Sequence, residues 1–302
     1  MTESETFETL RPLLFSIAYR MLGSVSEAED IVQDAFVRYQ RALDEGGRIE
    51  SLKAYLSAMV TRLVIDHLRS ARARRETYVG QWLPAPILTD DGRQAANVER
   101  ADSLSMAFLL TLQRLSPTER AVFLLHDVFD YSYAEIAEIV GKTEDNCRQV
   151  ALRARKHIEA AKPRFEISAE KRDDLSRRFF AAISGGDSDA LVRMLANDAV
   201  VYGDGGGKAP QWSKPITGAD RVAKLLAGLG AKLRAHGGHV IQREINGQPG
   251  AMLVDHEDRL ISVFALDVAD GRVQAVRSVI NPDKLRHLGP LADLDMLLER
   301  SN

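Results

Sequence analysis

A glycine run followed by a lysine is the stretch of this sequence that first suggests chemistry. Residues 200–210 read VVYGDGGGKAP, a pattern compatible with a loop that cradles a phosphate, a turn between two strands, or a loop that contacts a partner. A nucleotide-binding loop of the type G-x-x-x-x-G-K-[ST] is excluded, because Tyr202 occupies the first glycine position and Ala209 follows the lysine. The segment is therefore interpreted as a mobile contact loop that presents Asp204 and Lys208 as exposed charges.

A second group of side chains in the same half of the chain has the types needed for general acid–base catalysis. It consists of His236, His239, Asp255 and His256, with Asp198 and Asp204 as further candidates. The histidines follow loop or edge positions, and nothing in their spacing fixes a mutual geometry. We therefore predict no catalytic residues, no metal site and no cofactor.

Composition and the cysteine count limit the class of protein. The 302 residues suit two or three domains, and 45% hydrophobic with 27% charged residues is typical of a globular protein. No apolar run approaches about 18 residues, and the N-terminus lacks the basic-then-apolar layout of a signal peptide. Cys147 is the single cysteine, which excludes an internal disulfide and a cysteine metal cluster. A reduced, cytoplasmic setting is expected.

The charge is nearly balanced overall, at −3, but it is unevenly distributed. Five arginines against one aspartate fall within residues 62–75, and six lysines and arginines against one glutamate fall within residues 148–164. Compact basic patches of this kind suit contacts with phosphates. Either patch taken alone is equally typical of a solvated helix face.

Helical periodicity covers residues 5–75. Gly23 ends the first predicted helix, and Ser26 is the predicted cap of a second helix whose first turn is acidic. A long third helix follows the polar loop at 44–50 and changes from apolar to strongly basic along its length.

Residues 76–103 break this pattern with two prolines and two glycines, and they are interpreted as a linker. The segment nevertheless carries Trp82, Leu83 and Ile87, which solvated linkers rarely contain. We expect it to dock on another part of the protein. The alternative is a minor packing contact.

Residues 131–157 have the layout of a helix-turn-helix. A short helix with apolar Ile136, Ala137 and Val140 ends at Gly141, and Thr143 caps a second helix that places Cys147 on its inner side. Polar side chains near the start of the second helix suit base edges, and the basic side chains that follow suit phosphates. An ordinary helical hairpin would show the same apolar spacing, but the basic second half favours DNA binding.

The chain changes character after about residue 168. Two helices, at 171–184 and 188–196, precede a series of β-rich runs, with strong hairpin signals at Asn246-Gly247 and Asp270-Gly271. We expect an α+β domain in which helices pack on a curved antiparallel sheet.

Three stretches of the chain resemble the extracytoplasmic-function (ECF) sigma factors of the sigma-70 family of bacterial RNA polymerase. SEAEDIVQDAFVRY (26–39) is similar to region 2.2, the acidic helix that docks on the clamp of the polymerase β′ subunit. AYLSAMVTRLVIDHLRSARARR (54–75) resembles regions 2.3 and 2.4, which melt and read the −10 promoter element. Residues 115–158, from LSPTER to RARKHI, resemble region 4, which reads the −35 element and contacts the β subunit. The three stretches occur in the order typical of that family.

The resemblance implies three sets of functional residues. Those implied for core polymerase are Glu27, Glu29, Asp30, Gln33 and Asp34. Those implied for the −10 element are Arg62, His67, Arg69, Arg72, Arg74 and Arg75, and Arg62 stands where many relatives have asparagine. Those implied for the −35 element are Thr143, Asn146, Arg148, Gln149, Arg153, Arg155 and Lys156.

The roughly 130 residues that follow resemble the SnoaL-like members of the cone-shaped NTF2-like fold. QWLP in the linker, the glycine run and NPDKLRHL (281–288) look like marker motifs of a sigma subgroup in which this extension is thought to be a built-in regulator. The residues so implied in contacts between regulator and sigma regions are Trp82, Leu83, Pro84, Asp204, Gly205, Gly206, Gly207, Lys208, Asn281, Pro282, Asp283, Lys284 and Leu285. A cone-shaped sheet also has a concave apolar interior suited to a small-molecule ligand.

The predicted fold class is multidomain, with two all-α sigma domains followed by a SnoaL-like α+β cone. The predicted bounds are 1–75 for region 2, 76–103 for the linker, 104–165 for region 4, 168–290 for the cone and 291–302 for a tail. The predicted function is a non-enzymatic sigma factor that binds core RNA polymerase and promoter DNA, contacts no membrane, and is modulated by its own C-terminal domain. The alternative is a ligand-sensing or enzymatic NTF2-like protein that binds operators through its helix-turn-helix. The acidic helix and the 54–75 helix favour the first function, because a stand-alone repressor needs neither.

Overall fold

The computed structural model describes residues 3–46, 49–75, 78–90, 101–159 and 168–293. The chain forms two compact units. The helical unit comprises Met1–Thr77, Ala96–Leu104 and Phe108–Lys162, and the C-terminal unit comprises Tyr78–Ala95, Ser105–Ala107 and Pro163–Asn302. Over the described ranges, no helix is long and apolar enough to cross a bilayer.

Three long helices begin the helical unit: α1 (Glu3–Leu22), α2 (Val25–Asp44) and α3 (Leu52–Arg75). Gly23 ends α1 with a φ of 70°, as predicted. The predicted cap of α2 was wrong. Ser24 is the cap, because its backbone is extended and its hydroxyl accepts a hydrogen bond from Glu27 N at 3.4 Å, whereas Ser26 already lies in the first turn.

Four further α-helices follow in the described residues: α4 (Met106–Leu112), of which Phe108 onwards belongs to this unit, α5 (Pro117–Asp127), α6 (Tyr133–Val140) and α7 (Glu144–Glu159). Two buried arginines join α1 to later parts of this unit. Arg20 Nε donates to Ser103 Oγ at 3.2 Å, and the Arg120 guanidinium donates to the carbonyl of Met21. Burial lowers the pKa of Arg20 to about 10, which leaves the side chain charged at neutral pH.

The C-terminal unit is an α+β domain, as predicted. Its elements, in chain order, are α8 (Ala169–Gly185), α9 (Ser188–Met194), β1 (Leu195–Asp204), β2 (Ile216–Thr217), α10 (Ala219–Ala235), β3 (His239–Ile245), β4 (Gln248–Val254), β5 (Leu260–Ala269), β6 (Arg272–Val279) and α11 (Pro282–Leu285). The six strands form one sheet in the order β2-β1-β6-β5-β4-β3. Apolar side chains from α8, α9 and α10 pack with side chains of β1, β4, β5 and β6 in a single core.

The sheet is antiparallel, as expected, except at one pair of strands. β1 and β6 are parallel, with Val201 opposite Val276, whereas the other neighbouring strands pair antiparallel. Both predicted hairpin turns are confirmed, and their Asn-Gly and Asp-Gly residues have positive φ angles. Helix α10 was not predicted at all.

Candidate nucleic-acid interface and linker-binding site

Helix α7 has two distinct faces, as expected of a recognition helix. Thr143 caps it by accepting a hydrogen bond from Asn146 N at 3.3 Å. Its buried side chains recur at helical spacing and are Cys147, Val150, Ala151, Ala154 and Ile158. The exposed polar side chains Asn146, Gln149, Arg153 and Lys156 follow a spacing of three, four and three residues and therefore form one continuous stripe.

The turn before α7 agrees with the helix-turn-helix prediction. Gly141 ends α6 in the left-handed conformation, with a φ of 66°. Ile136 is buried as expected, but Ile139 rather than Val140 is the second buried residue of α6. Cys147 is fully buried, and burial raises the pKa of its thiol, so it is a packing residue.

Two of the arginines proposed for the −35 element form ion pairs within the helical unit. The Arg148 guanidinium lies 2.8 Å from Glu144 Oε2 and 3.0 Å from Asp145 Oδ1, on its own helix. Arg155 is partly buried and donates to Asp127 Oδ1 at 2.8 Å, which ties α7 to α5. The exposed stripe on α7 is therefore the better candidate for direct contacts with DNA.

Most of the acidic and polar residues predicted on α2 lie on an exposed surface, whereas one of them packs against α3. Glu29, Asp30, Gln33 and Asp34 are exposed on one side of the helix and form a surface suited to a basic partner. Glu27 is only partly exposed, and its Oε1 accepts a hydrogen bond from His67 Nε2 of α3 at 3.1 Å.

Arg62 bonds α3 to the helix-turn-helix. Its Nε donates to the carbonyl of Ile139 at 2.9 Å, and a terminal nitrogen donates to the carbonyl of Glu138 at 2.7 Å. Both carbonyls belong to the last turn of α6, where a cation also complements the helix dipole. Arg69 pairs with Asp66 at 3.5 Å on the exposed side of α3. The side chains of Arg72, Arg74 and Arg75 lie outside the described residues.

Replacing Arg62 with alanine is expected to lower the free energy of unfolding of the helical unit by about 1.5–3 kcal/mol, because two hydrogen bonds from a charged group are lost. Arg69→Ala is the matched control on the same helix and is expected to change stability by less than about 1 kcal/mol, because its ion pair is exposed. Urea unfolding followed by far-UV circular dichroism measures both values. Equal effects of the two substitutions would contradict the conclusion that Arg62 links α3 to α6 through hydrogen bonds.

The predicted linker contains a segment that packs on the C-terminal domain. Residues 78–90, called here the docked segment, belong to the C-terminal unit. Five consecutive residues of it, from Leu83 to Ile87, are buried. The expectation that this part of the linker docks is therefore met within the C-terminal unit itself.

Asp204, at the end of β1, is the centre of this contact. Its side chain has no exposed surface, so the prediction of an exposed charge was wrong. The carboxylate accepts hydrogen bonds from Tyr78 Oη at 2.5 Å, from Leu83 N at 2.7 Å and from Lys284 Nζ at 2.6 Å. Two of these donors come from the docked segment and the third from α11, so a buried charge is both paired and hydrogen-bonded.

Lys284 joins the same three segments. Besides Asp204, its ammonium donates to the carbonyl of Leu83 at 2.5 Å and lies 4.3 Å from the centre of the Trp82 indole ring. Asn281 Nδ2 donates to Tyr78 Oη at 2.9 Å. Burial, followed by the hydrogen bond to Asp204, raises the pKa of Tyr78, which keeps its phenol protonated as a donor.

The glycines of the run are required because neighbouring atoms approach the backbone closely and because two of the residues have positive φ angles. Gly206 and Gly207 have φ angles of 59° and 70°, a region that side chains disfavour. A Cβ atom at Gly206 would overlap the side-chain amide of Asn281, and one at Gly205 would overlap the carbonyl of Ala209. Lys208 is exposed and forms an ion pair with Asp283 at the surface of this contact. Pro282 is the first residue of α11, and Leu285 is buried at its end.

The second half of the docked segment lies on the edge of the sheet. Asn246 N donates to the carbonyl of Ile87 at 2.8 Å, and Thr89 N donates to the carbonyl of Glu244 at 2.9 Å. His287 Nε2 donates to the carbonyl of Pro86 at 2.8 Å. The segment thereby supplies partners to backbone groups at the end of edge strand β3. Tyr78, Asn246 and His287 were not among the predicted contact residues, although His287 lies in the quoted NPDKLRHL stretch.

Two of the acid–base candidates, His236 and Asp255, line the same cavity of the C-terminal domain, and the others lie apart from it. Asp255 accepts hydrogen bonds from the backbone of Glu257 and Arg259 and from the Arg259 guanidinium, and these hydrogen bonds outweigh desolvation and lower its pKa. His239 pairs with Asp258 and His256 with Glu257, while Asp198 is exposed and Asp204 is in the linker contact. Across the described residues, no three metal-binding side chains lie close enough together to hold an ion.

Comparisons with known proteins match both parts of the chain. The family model described as Sigma-70 region 2 matches residues 6–74, and the model described as Sigma-70, region 4 matches residues 105–158. The chain is 37% identical over 297 residues to the ECF RNA polymerase sigma factor SigJ of Mycobacterium tuberculosis, covering 93% of each chain. It is 31% identical over 288 residues to the probable ECF sigma factor SigI of the same species, covering 93% of this chain and 94% of SigI. The crystal structure of M. tuberculosis SigJ superposes with a TM-score of 0.75 at 35% identity, covering 96% of this chain and all of the other.

Proposed function

Because this chain belongs to the extracytoplasmic-function family of RNA polymerase sigma factors, we propose that it binds core RNA polymerase and directs it to promoters whose −10 and −35 elements contact α3 and α7. The acidic surface of α2, made of Glu29, Asp30, Gln33 and Asp34, is proposed as the contact with the β′ clamp, in the cytoplasm where core polymerase acts. The exposed stripe on α7 is the observation that best supports a role for region 4 at the −35 element.

A run-off transcription assay on fragmented genomic DNA tests the initiation function without knowledge of the promoter. The purified full chain is expected to co-elute with core polymerase and to produce new transcript starts that core alone does not make. Gln149→Ala is expected to weaken initiation at these starts by about 5- to 100-fold, because a base contact contributes about 1–3 kcal/mol. Leu152→Ala, which shortens an exposed apolar side chain next to the stripe and removes no hydrogen-bonding group, is the control. A chain that neither binds core nor produces starts would contradict the proposal.

We also propose that the docked segment lets the C-terminal domain restrain the sigma regions. The segment lies in sequence between α3 and the helix-turn-helix, yet it is bonded to Asp204, Asn246 and Lys284 of the C-terminal domain. While the docked segment is bound to the C-terminal domain, fewer linker residues remain between the two sigma regions. The distance by which these regions can separate is therefore smaller. Contacts such as that of Arg62 with α6 must open before α3 and α7 reach separate promoter elements.

Trp82→Ala tests this restraint. The substitution removes the indole ring that lies against Lys284, and loss of about 1 kcal/mol of docking energy would raise the population of the released state about fivefold. Initiation by the variant is expected to rise correspondingly in the run-off assay, while Val79→Ala, which replaces an exposed side chain of the same segment, is the control. Unchanged initiation by Trp82→Ala would contradict the proposed restraint, and it would leave the proposed sigma function unaffected.

The C-terminal domain is proposed to regulate without catalysis. Of its acid–base side chains only His236 and Asp255 share a cavity, where Asp255 is held by Arg259 in a turn between strands and His236 is bonded to the carbonyl of Lys232. Truncation after about residue 165 is also expected to alter initiation. Point substitutions test the restraint more cleanly, because the truncation leaves Leu83 and Ile87 without the surfaces that bury them.

A further inference from the structure

A cavity of about 350 Å³ lies inside the C-terminal domain. One wall is the half-buried row Leu225, Leu229 and Leu233, which recurs every four residues along α10. The adjacent row of α10, including Val222 and Leu226, is fully buried in the core. The leucine row packs against the edge of the same core and also borders the cavity. Volumes of this size fall at the lower end of those found for small-molecule sites.

The sheet leaves this space open because small residues alternate with large ones on its inner face. Leu253 is directly opposite Ser262, and Phe264 is directly opposite Ser278. Each pair thus joins one large and one small side chain. Protein interiors are otherwise packed closely, so two serines at these positions maintain a cavity that leucine or valine would fill.

Gly203 extends the same face onto β1, where it is opposite Ser278. A Cβ atom at Gly203 would lie 2.5 Å from Cδ of Gln211, so the glycine makes room for the glutamine. Gln211 Nε2 donates to Ser278 Oγ at 3.2 Å, and both side chains line the cavity. The cavity therefore has an ordered polar spot on an otherwise apolar wall.

The charges that line the cavity are unequal. Asp255 is paired with Arg259, whose Nε lies 2.8 Å from its carboxylate and whose guanidinium also lies 2.9 Å from Glu257. Lys232 has no ion pair with any residue that the structure describes, and it follows the leucine row on α10. His236 lies one turn further on, and its Nδ1 donates to the carbonyl of Lys232 at 2.8 Å, which directs the remaining ring nitrogen away from that carbonyl. The ammonium of Lys232, which is exposed to solvent, thus lies beside an apolar cavity and is available to a ligand.

We propose that this cavity binds a small apolar carboxylate, with its hydrocarbon body against Leu229 and Phe264 and its carboxylate at Lys232. The apolar walls favour burial of hydrocarbon, and the ammonium supplies a charge-assisted hydrogen bond. The site does not depend on the docked segment or on polymerase binding, so it is tested separately from the sigma function.

Displacement of the fluorescent probe 1-anilinonaphthalene-8-sulfonate from the full chain tests the proposal. The probe is expected to bind one site per chain and to be displaced by decanoate at roughly tenfold lower concentration than by decan-1-ol, which lacks the charge. Lys232→Met is expected to weaken the binding of decanoate by roughly five- to tenfold and to leave the binding of decan-1-ol unchanged. Lys224→Met, exposed on the same helix but outside the cavity, is expected to bind both as the unmodified chain does.

Two cavity-filling variants locate the site. Leu229→Trp and Ser262→Leu each occupy part of the cavity from a different wall, and each is expected to reduce probe binding by about tenfold or more while circular dichroism shows a folded chain. Probe binding that survives in whichever variant folds would overturn the location. Equal displacement by decanoate and decan-1-ol, or an equal loss for both in Lys232→Met, would overturn the carboxylate assignment.

Discussion

Replacing Asp204 with alanine is expected to release the docked segment and to lower the free energy of unfolding of the C-terminal domain by about 3–5 kcal/mol. Removing one partner of a buried ion pair leaves the other charge uncompensated, and Lys284 is only 11% exposed. Tyr78 Oη and Leu83 N lose an acceptor at the same time. Urea unfolding gives the energy. Hydrogen exchange at the amides of residues 83–89 reports release of the segment.

Two variants separate the buried pair from the charged surface around it. Lys208→Ala removes an exposed ion pair with Asp283 in the same region and is expected to cost less than about 1 kcal/mol, with no change in exchange. The double variant Asp204→Asn with Lys284→Met keeps an acceptor for Leu83 N and removes the unpaired charge, so it is expected to recover at least half of the loss. Unchanged exchange in Asp204→Ala would contradict the role given to this carboxylate.

Gly230→Ala and Gly228→Ala are expected to change stability in opposite directions although they lie two residues apart on α10. A Cβ atom at Gly230 would overlap the carbonyl oxygen of Ile183 and lie 2.7 Å from its carbonyl carbon. Because both atoms are backbone, α8 and α10 must move apart, at a cost of about 3 kcal/mol or more. At Gly228 no heavy atom lies within 4 Å of the added methyl group, and alanine is expected to stabilise the helix by about 0.5–1 kcal/mol.

Thermal unfolding followed by tryptophan fluorescence measures both changes, since Trp212 lies in this domain. The two midpoints are expected to fall on opposite sides of that of the unmodified chain. A Gly230→Ala domain as stable as the original would show that α8 and α10 do not approach each other as closely as described.

The features that the sequence predicted well are those determined by neighbouring residues. The helix-turn-helix is predicted by two local signals: Gly141, which ends α6, and Thr143, which caps α7. The hairpins at Asn246-Gly247 and Asp270-Gly271 are equally local, because positive φ angles require these residue types.

Features that depend on distant partners were missed or misjudged. Asp204 follows an apolar strand and precedes three glycines, a setting typical of an exposed loop, and its donors Tyr78 and Lys284 are 126 and 80 residues away. Helix α10 was missed because Gly228 and Gly230 reduce helix propensity, yet the approach of α8 is what excludes a side chain at Gly230. The cavity depends on cross-strand pairs of serine with larger residues, and such pairs are defined only by strand register.

The separation of Leu83 from Lys284 has a consequence during protein synthesis. These residues are hydrogen-bonded but lie 201 positions apart in the chain. At roughly 5–20 residues per second, about 10 to 40 s pass between their translation. The matches to sigma regions 2 and 4 end at residue 158, so both regions leave the ribosome before α11 exists. Each nascent chain therefore passes through an interval in which its sigma regions are complete and the docked segment has nothing to dock on.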